Sequence, residues 1–203
     1  MFSLLYFSVI LVFYSVVQCN GQIIQFGNCK DIQTVDLFDL ERFIGEWYEV
    51  KRYPTWYEKG GHCASKVFSV CGRRIAIEHK YVKNEIAYVL HMNSTYAPGD
   101  EAVFEVNATN IDPIGTSLSV LATDYTNYAI IFGCKYNEKF LIRYISAWIL
   151  SRKTVLDPDL LEEAQKYVKS MPMANNVYFE DVRHDDEMCR FHWTAHVNGE
   201  QEK

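Results

Sequence analysis

From position 45 to about 152 the chain is a succession of short runs rich in Val, Ile, Tyr and Phe, separated by Gly, Pro, Asn or Asp. Runs at this even spacing read as β-strands, and their regularity points to an antiparallel barrel or sandwich. The candidate strands are 45–53, 64–70, 74–81, 86–92, 102–108, 117–123, 128–135 and 140–150, which makes eight. CGRR at 71–74 and KNE at 83–85 are short enough to be hairpin turns, so successive strands are expected to pair antiparallel in a meander. Pro54, Pro98 and Pro113 fall between the runs, where a missing N–H costs no ladder bond.

After the last run the pattern changes. In TVLDPDLLEEAQKYVKSM, Asp157 is a candidate cap, Pro158 suits the first helical turn and Leu156 can staple against Leu161. Leu160, Leu161, Ala164, Tyr167, Val168 and Met171 share one stripe at helical spacing, with Glu162, Glu163, Lys166 and Lys169 off it. An amphipathic helix over about 158–171 is expected to pack on the strands. Its polar face is mixed in sign, unlike that of a basic membrane-surface helix. VYFED at 177–181 can add a short strand, and the polar tail from Arg183 is expected to be loose apart from Cys189.

The 203 residues fit one domain with extensions. Residues 2–17 are apolar and uncharged, and Val17 and Cys19 suit the −3 and −1 positions of a signal cleavage site. Residues 1–19 therefore read as a signal peptide, and 20–203 as a single secreted domain with no stable membrane insertion. The formal charge is −6 and no Lys/Arg cluster exceeds two adjacent residues, which disfavours nucleic acid as a partner. Cys29, Cys63, Cys71, Cys134 and Cys189 follow the cleavage site; in an oxidising compartment four pair, in one of three ways, and one is left over. NST at Asn93 and NAT at Asn107 match the glycosylation acceptor, which requires both side chains to face outward.

GEW at 45–47, TDY at 123–125 leading into NYA, and WILSR ending at Arg152 resemble the signature regions of the lipocalin family, and the likeness covers almost the whole mature chain. RYPTWYEKGGHC, LATDYTNYAIIFGCKYNE and AWILSR are most similar to its branch of apolipoprotein D and the insecticyanin-like insect bilin-binding proteins. The resemblance implies an all-β fold with one helix: an eight-stranded antiparallel up-and-down β-barrel with a C-terminal α-helix on its outside. It implies that Trp47 plugs the closed end with Arg152 across its face, and that Gly45, Thr123, Asp124 and Tyr125 are fold residues rather than an active site. It also implies disulfides Cys29–Cys134 and Cys63–Cys189, leaving Cys71 unmatched.

Tyr53, Trp56 and Tyr57 stand at the end of the first strand and in the loop that covers the open mouth in this family. They are ligand candidates, or else a loop packed by its own side chains. Side chains alternate along a strand, so if Asn93 and Asn107 point out, Tyr88, Leu90 and Met92, with Phe104 and Val106, point in. With Glu78 and Lys80 outward, Ile75, Ile77 and His79 face inward. Tyr144, Ser146 and Trp148 share a parity, and the family pattern places the Trp inside. Glu49 and Lys51 share the parity of Trp47, which buries two charges unless they pair, meet a polar ligand, or are separated by a local bulge. His79 is a candidate to hydrogen-bond a ligand carbonyl or propionate, and equally a satisfied wall histidine. HxxxH at His192 and His196 binds metal well on a helix, which this segment does not clearly form, so no metal is expected.

The implied function is a secreted carrier rather than an enzyme. It would bind a bilin pigment, retinoid, sterol or fatty acid reversibly in the barrel; no cofactor is required, and a biliverdin-type pigment or a lipid is the expected occupant. One alternative is lipid isomerase or antioxidant chemistry at Cys71, whose thiol Arg73 and Arg74 would make more acidic. Another is a surface interaction protein with a receptor or lipoprotein partner.

Overall fold

Eight consecutive strands close on themselves in the computed structural model, which describes residues 22–29, 32–72, 74–97 and 100–199. The expected signal peptide lies outside these residues. A short β1 (Ile23–Phe26) precedes the barrel strands β2 (Gly45–Arg52), β3 (His62–Cys71), β4 (Arg74–Lys83), β5 (Ile86–Ala97), β6 (Asp100–Val106), β7 (Leu118–Thr123), β8 (Tyr128–Asn137) and β9 (Ile142–Ser151). Each pairs antiparallel with the next, and β9 returns to β2. The β4–β5 turn is tight because Asn84 and Glu85 both take positive φ, the conformation a two-residue hairpin needs.

The two ends of the barrel differ. At the end where β2 starts and β9 finishes, a one-turn helix α1 (Leu40–Phe43), capped by Asp39, lies across the opening. Phe43 packs against Trp47, Phe68 and Phe104 with ring centroids 5.2–5.9 Å apart, and Trp47 Nε1 donates to Phe43 O at 2.8 Å. The Arg152 guanidinium lies 3.7 Å from the Trp47 ring centroid and donates to the carbonyls of Arg42, Phe43, Ile44, Glu46 and Tyr125. One cation thus satisfies the orphan carbonyls ending α1 and covers the Trp face. Gly45 is required beside it: φ is +105°, and a Cβ there would stand 3.2 Å from Arg152 Nη1.

The turn at the same end is built by Thr123 and Asp124. Asp124 Oδ1 accepts from the N–H groups of Thr126, Asn127 and Tyr128, while Thr123 Oγ1 accepts from Tyr125 N and donates to Tyr128 O. Burial alone would push the Asp124 carboxyl up, but the Asn127 side-chain amide, which donates to Oδ2 at 2.7 Å, and these backbone donors hold it below its usual value. The Tyr125 hydroxyl accepts from Asp39 N, tying this turn to α1.

Outside the barrel, α2 (Pro158–Ser170) buries Ala164 and Val168 against the outer faces of β8 and β9. Asp157 caps it and Pro158 opens it, as the sequence predicts. None of the described helices is long and apolar enough to cross a membrane. Cys29–Cys134 and Cys63–Cys189 are bonded, and Cys71 is free and exposed. Asn93 and Asn107 are exposed.

The tail expected to be loose is instead part of the sheet. The short strand expected within 177–181 forms as a two-residue β10 (Glu180–Asp181), paired with Arg52 and Lys51 of β2, while the tail from Arg183 supplies β11 (Trp193–Asn198), which runs parallel to β5 along Ile86–His91. The physical reason lies in β5, which is twelve residues long but is paired with β6 only from Ser94 onward. Its open-end half would otherwise present an unpaired edge, and β11 fills it. Val197 packs there with Leu90 and Ile111, an apolar contact that the polar composition of the tail conceals.

Trp47→Ala should lower stability by about 3–5 kcal/mol, the usual cost of emptying a large aromatic site. Urea unfolding measures it, and a loss near zero would show that the rings around Phe43 close that end without the indole.

Candidate ligand-binding site

One irregularity in β2 decides what the interior contains. Glu49 pairs with Leu150 and Lys51 with Ile149, so Val50 is an extra residue and the register slips by one. This bulge resolves the parity conflict in the sequence: Glu49 and Arg52 both face inward, whereas Lys51 turns outward to ion-pair with Asp181. The main chain of the bulge is engaged from outside, where His184 Nε2 lies 2.8 Å from Glu49 O.

Inside, Glu49, Arg52, Glu58, Lys66 and His79 meet, each at most 2% exposed. Lys66 Nζ lies 2.7 Å from Glu49 Oε1 and 3.8 Å from Glu58 Oε2, and 4.5 Å above the Trp148 ring. His79 Nε2 stands between the carboxylates, 2.9 Å from Glu58 Oε2 and 3.1 Å from Glu49 Oε1. Arg52 reaches Glu49 Oε2 at 3.3 Å, Glu180 Oε1 at 2.8 Å and Gly61 O at 2.8 Å. Trp148 Nε1 donates to Glu58 Oε1 at 3.3 Å.

Burial is the largest influence on Glu49 and would push it up, but Lys66, His79 and Arg52 together hold its carboxyl well below the usual range. Burial and the neighbouring Glu49 push Glu58 up, and Lys66 and His79 more than offset them, so it too is lowered. Both carboxylates are therefore ionised at neutral pH, balanced by Arg52 and Lys66. Three facing atoms, Glu49 Oε1, Glu58 Oε2 and His79 Nε2, meet at ion-pair distance but not at hydrogen-bond angles, and they lie within 4.8 Å of one another. That spacing suits a metal ion, but Lys66 already faces Glu49 there. A divalent cation would add charge to a group that two fixed cations have neutralised, so the cluster is an ion-pair network rather than a metal centre.

The loop 53–61 folds over this network. Tyr81 OH donates to Tyr57 O at 2.7 Å, and Tyr57 stands edge-on to His79 with centroids 5.8 Å apart. Burial first, then the charge of Glu58, pushes the Tyr57 hydroxyl well above its ordinary pKa. Gly61 is needed for this closure, because a Cβ would sit 2.6 Å from the Tyr81 ring.

The sequence candidates distribute as follows. His79 lies at the centre, with Trp148 above Lys66 and Tyr57 over the top. Leu90 and Tyr88 line the wall beside them, Tyr88 stacked on Tyr81 at 5.1 Å. Ile77, Met92 and Phe104 belong to the packed apolar layer around Trp47, deeper than the network. Tyr144 is half-buried near the open end, opposite Lys135, and Trp56 is 45% exposed. Tyr53 does not face the mouth. It is buried outside the barrel, 4.7 Å from Phe179, with its hydroxyl between Asn175 N and O, because the bulge turns the end of β2 toward the segment after α2.

Arg52, Glu58 and Lys66 were not among the sequence candidates. Lys66 alternates with Ala64 and Phe68 on β3, which was a usable signal of an inward cation. Glu58 sits in a loop and gave none. Ser146 and Thr116 complete the interior: both are buried, and neither hydroxyl has a partner among the protein's own described atoms. They flank Gly133, where a Cβ would lie 2.5 Å from Ser146 Oγ and 2.8 Å from Thr116 Cγ2.

A barrel plugged at one end, with polar groups buried below a folded-over loop, is the form of a small-ligand binding protein. The chain belongs to the lipocalin family: its residues 44–185 match the model of the lipocalin / cytosolic fatty-acid binding protein family. Among curated proteins it is similar to insecticyanin-B of Manduca sexta, 30% identical over 74% of this chain and 75% of that protein. The bilin-binding protein of Pieris brassicae is 26% identical over 82% and 89%, and apolipoprotein D of Cavia porcellus 29% over 85% and 89%. The solved structure of Manduca sexta insecticyanin superposes with a TM-score of 0.72 at 26% identity, covering 87% of this chain and 97% of that one.

Lys66→Met leaves two buried carboxylates short of a counter-charge and should cost about 3–5 kcal/mol at neutral pH. Because Glu49 and Glu58 titrate lower when folded, their stabilisation is full above the unfolded value of 4.5 and is lost as pH falls through the folded values. Urea unfolding over the acid range should show that loss in the wild type and a flatter slope in Lys66→Met; parallel slopes would remove the network from the acid response.

Proposed function

We propose that this protein is a secreted carrier that binds a small, largely apolar molecule with a polar end, reversibly, in the open half of the barrel. The observation that carries this reading is the pair of inward hydroxyls, Ser146 and Thr116, buried with no partner among the described residues in a barrel whose wall also carries Tyr81, Tyr88 and Leu90. A buried hydroxyl without a hydrogen bond is unfavourable by roughly 1–3 kcal/mol, which a ligand's polar group offsets while its apolar body is desolvated. Trp148, Tyr57, Tyr88 and Leu90 would contact that body, and His79 would support the polar end from within the ion network. The relative named for bilin binding and the family named for fatty acids support a pigment or lipid as occupant.

Secretion is supported by the two disulfides, which oxidising compartments favour, and by the signal-like start of the chain. Exposed Asn93 and Asn107 are then acceptors for glycans. Family members are typically binding proteins rather than enzymes. The thiol alternative loses its geometry here, because Cys71 is exposed on the turn at the plugged end, remote from the interior.

The test is to secrete the chain from insect cells and record its absorption before and after organic extraction. Pigment carriage predicts a visible band that moves into the extract; lipid carriage predicts a colourless protein whose tryptophan fluorescence is quenched by retinoids, sterols or fatty acids. In Trp148→Phe that quenching should shrink markedly. A colourless protein that none of these ligands quenches would refute the proposal.

A further inference from the structure

The histidines of the tail have a use that their own spacing does not suggest. His192 and His196 stand four residues apart on an extended chain, hence about 13 Å apart, too far to share an ion. The partner of His196 is on another strand. His91 Nε2 lies 3.0 Å from His196 Nδ1, with ring planes 11° apart and centroids at 5.3 Å, so the imidazoles meet edge to edge. Behind them, Glu78 Oε1 on β4 lies 3.6 Å from His91 Nδ1.

We propose that His91 and His196 form a binding site for a borderline divalent transition-metal ion, zinc(II) or copper(II), with Glu78 orienting His91. Two imidazole nitrogens on one tetrahedral zinc, each about 2.0–2.1 Å from it, are about 3.3 Å apart. Adjacent positions on square-planar copper place them about 2.8 Å apart. The observed 3.0 Å lies between. Without metal one nitrogen donates to the other along the line between them; the ion takes the place of that proton once each ring has turned by about 35–45°, a rotation available to half-buried His91 and exposed His196.

Glu78 Oε1, 3.6 Å from His91 Nδ1, favours a proton on that nitrogen. A proton on His91 Nδ1 facing the carboxylate leaves the Nε2 lone pair for the metal, the arrangement that raises ligand basicity at many zinc sites. Lys80 lies 3.5 Å from the other Glu78 oxygen and so leaves Oε1 to His91. The β5–β11 ladder holds the two ligands in place, with His196 opposite Val89 and Asn198 opposite His91. Both rings line a surface groove that also includes Glu46, Lys80 and Thr194, which admits the ion and the waters that complete its shell. Imidazole ligands favour copper, zinc and nickel over calcium and magnesium. The bound ion would bridge β11 to β5 across the wall beside the mouth.

Zinc chloride and copper sulfate titrated into the full secreted protein by calorimetry test this, with electron paramagnetic resonance of the copper form. The expected results are one saturable site, and a copper signal carrying two imidazole nitrogens. His91→Asn and His196→Asn should each weaken binding by more than about tenfold, and Glu78→Gln by about tenfold, whereas His192→Asn should leave it unchanged. Wild-type affinity in both His91→Asn and His196→Asn would overturn the site. So would a copper signal with fewer than two imidazole nitrogens, which reads coordination directly even if a substitution disturbs β11.

Discussion

Closure of the barrel at one end is the constraint on which the rest depends, and it is made by a single cation laid on a single indole. Arg152 contacts the Trp47 face at 3.7 Å and takes up the last carbonyls of α1, so the chain entering β2 and the chain leaving β9 are held by the same side chain. The rings of Phe43, Phe68 and Phe104 then fill the space below. With that half filled by rings, the buried polar groups of the interior lie in the other half.

There the protein buries five ionisable side chains, an arrangement that is costly unless charge and geometry are matched. The match rests on one inserted residue. Without the bulge at Val50, Lys51 rather than Arg52 would point inward, and the bonds of Arg52 to Glu49, Glu180 and Gly61 O would be lost. The network also holds the loop that covers it, since Arg52 bonds to Gly61 O and Trp148 to Glu58. The polar interior and the loop above it are therefore one structure.

This division explains what was legible in the sequence. The strands, α2 and its cap follow from local periodicity and turn chemistry, and Gly45, Trp47, Thr123, Asp124 and Arg152 stand in motifs that carry the family likeness. Alternation placed Leu90, Ile77 and His79 inward because those strands are regular. It was undecided for Glu49 and Lys51, which flank a bulge, and the family pattern that set Tyr53 at the mouth failed because Tyr53 lies just past that bulge. Glu58 became a site residue through a loop whose path is set by Gly61 and Tyr81, a tertiary contact with no sequence period. The tail was misread because β11 is specified by the edge it meets on β5 more than by its own polar composition.

β11 follows every other described element in chain order, yet it supplies wall to the half of the barrel where the polar network lies. Cys134 can reach Cys29 as soon as β8 is made, whereas Cys189, which bonds to Cys63, and the strand beyond it arrive last. The part of the wall that closes the open edge of β5 is therefore the last to be synthesised, and it follows a disulfide to a strand laid down 126 residues earlier.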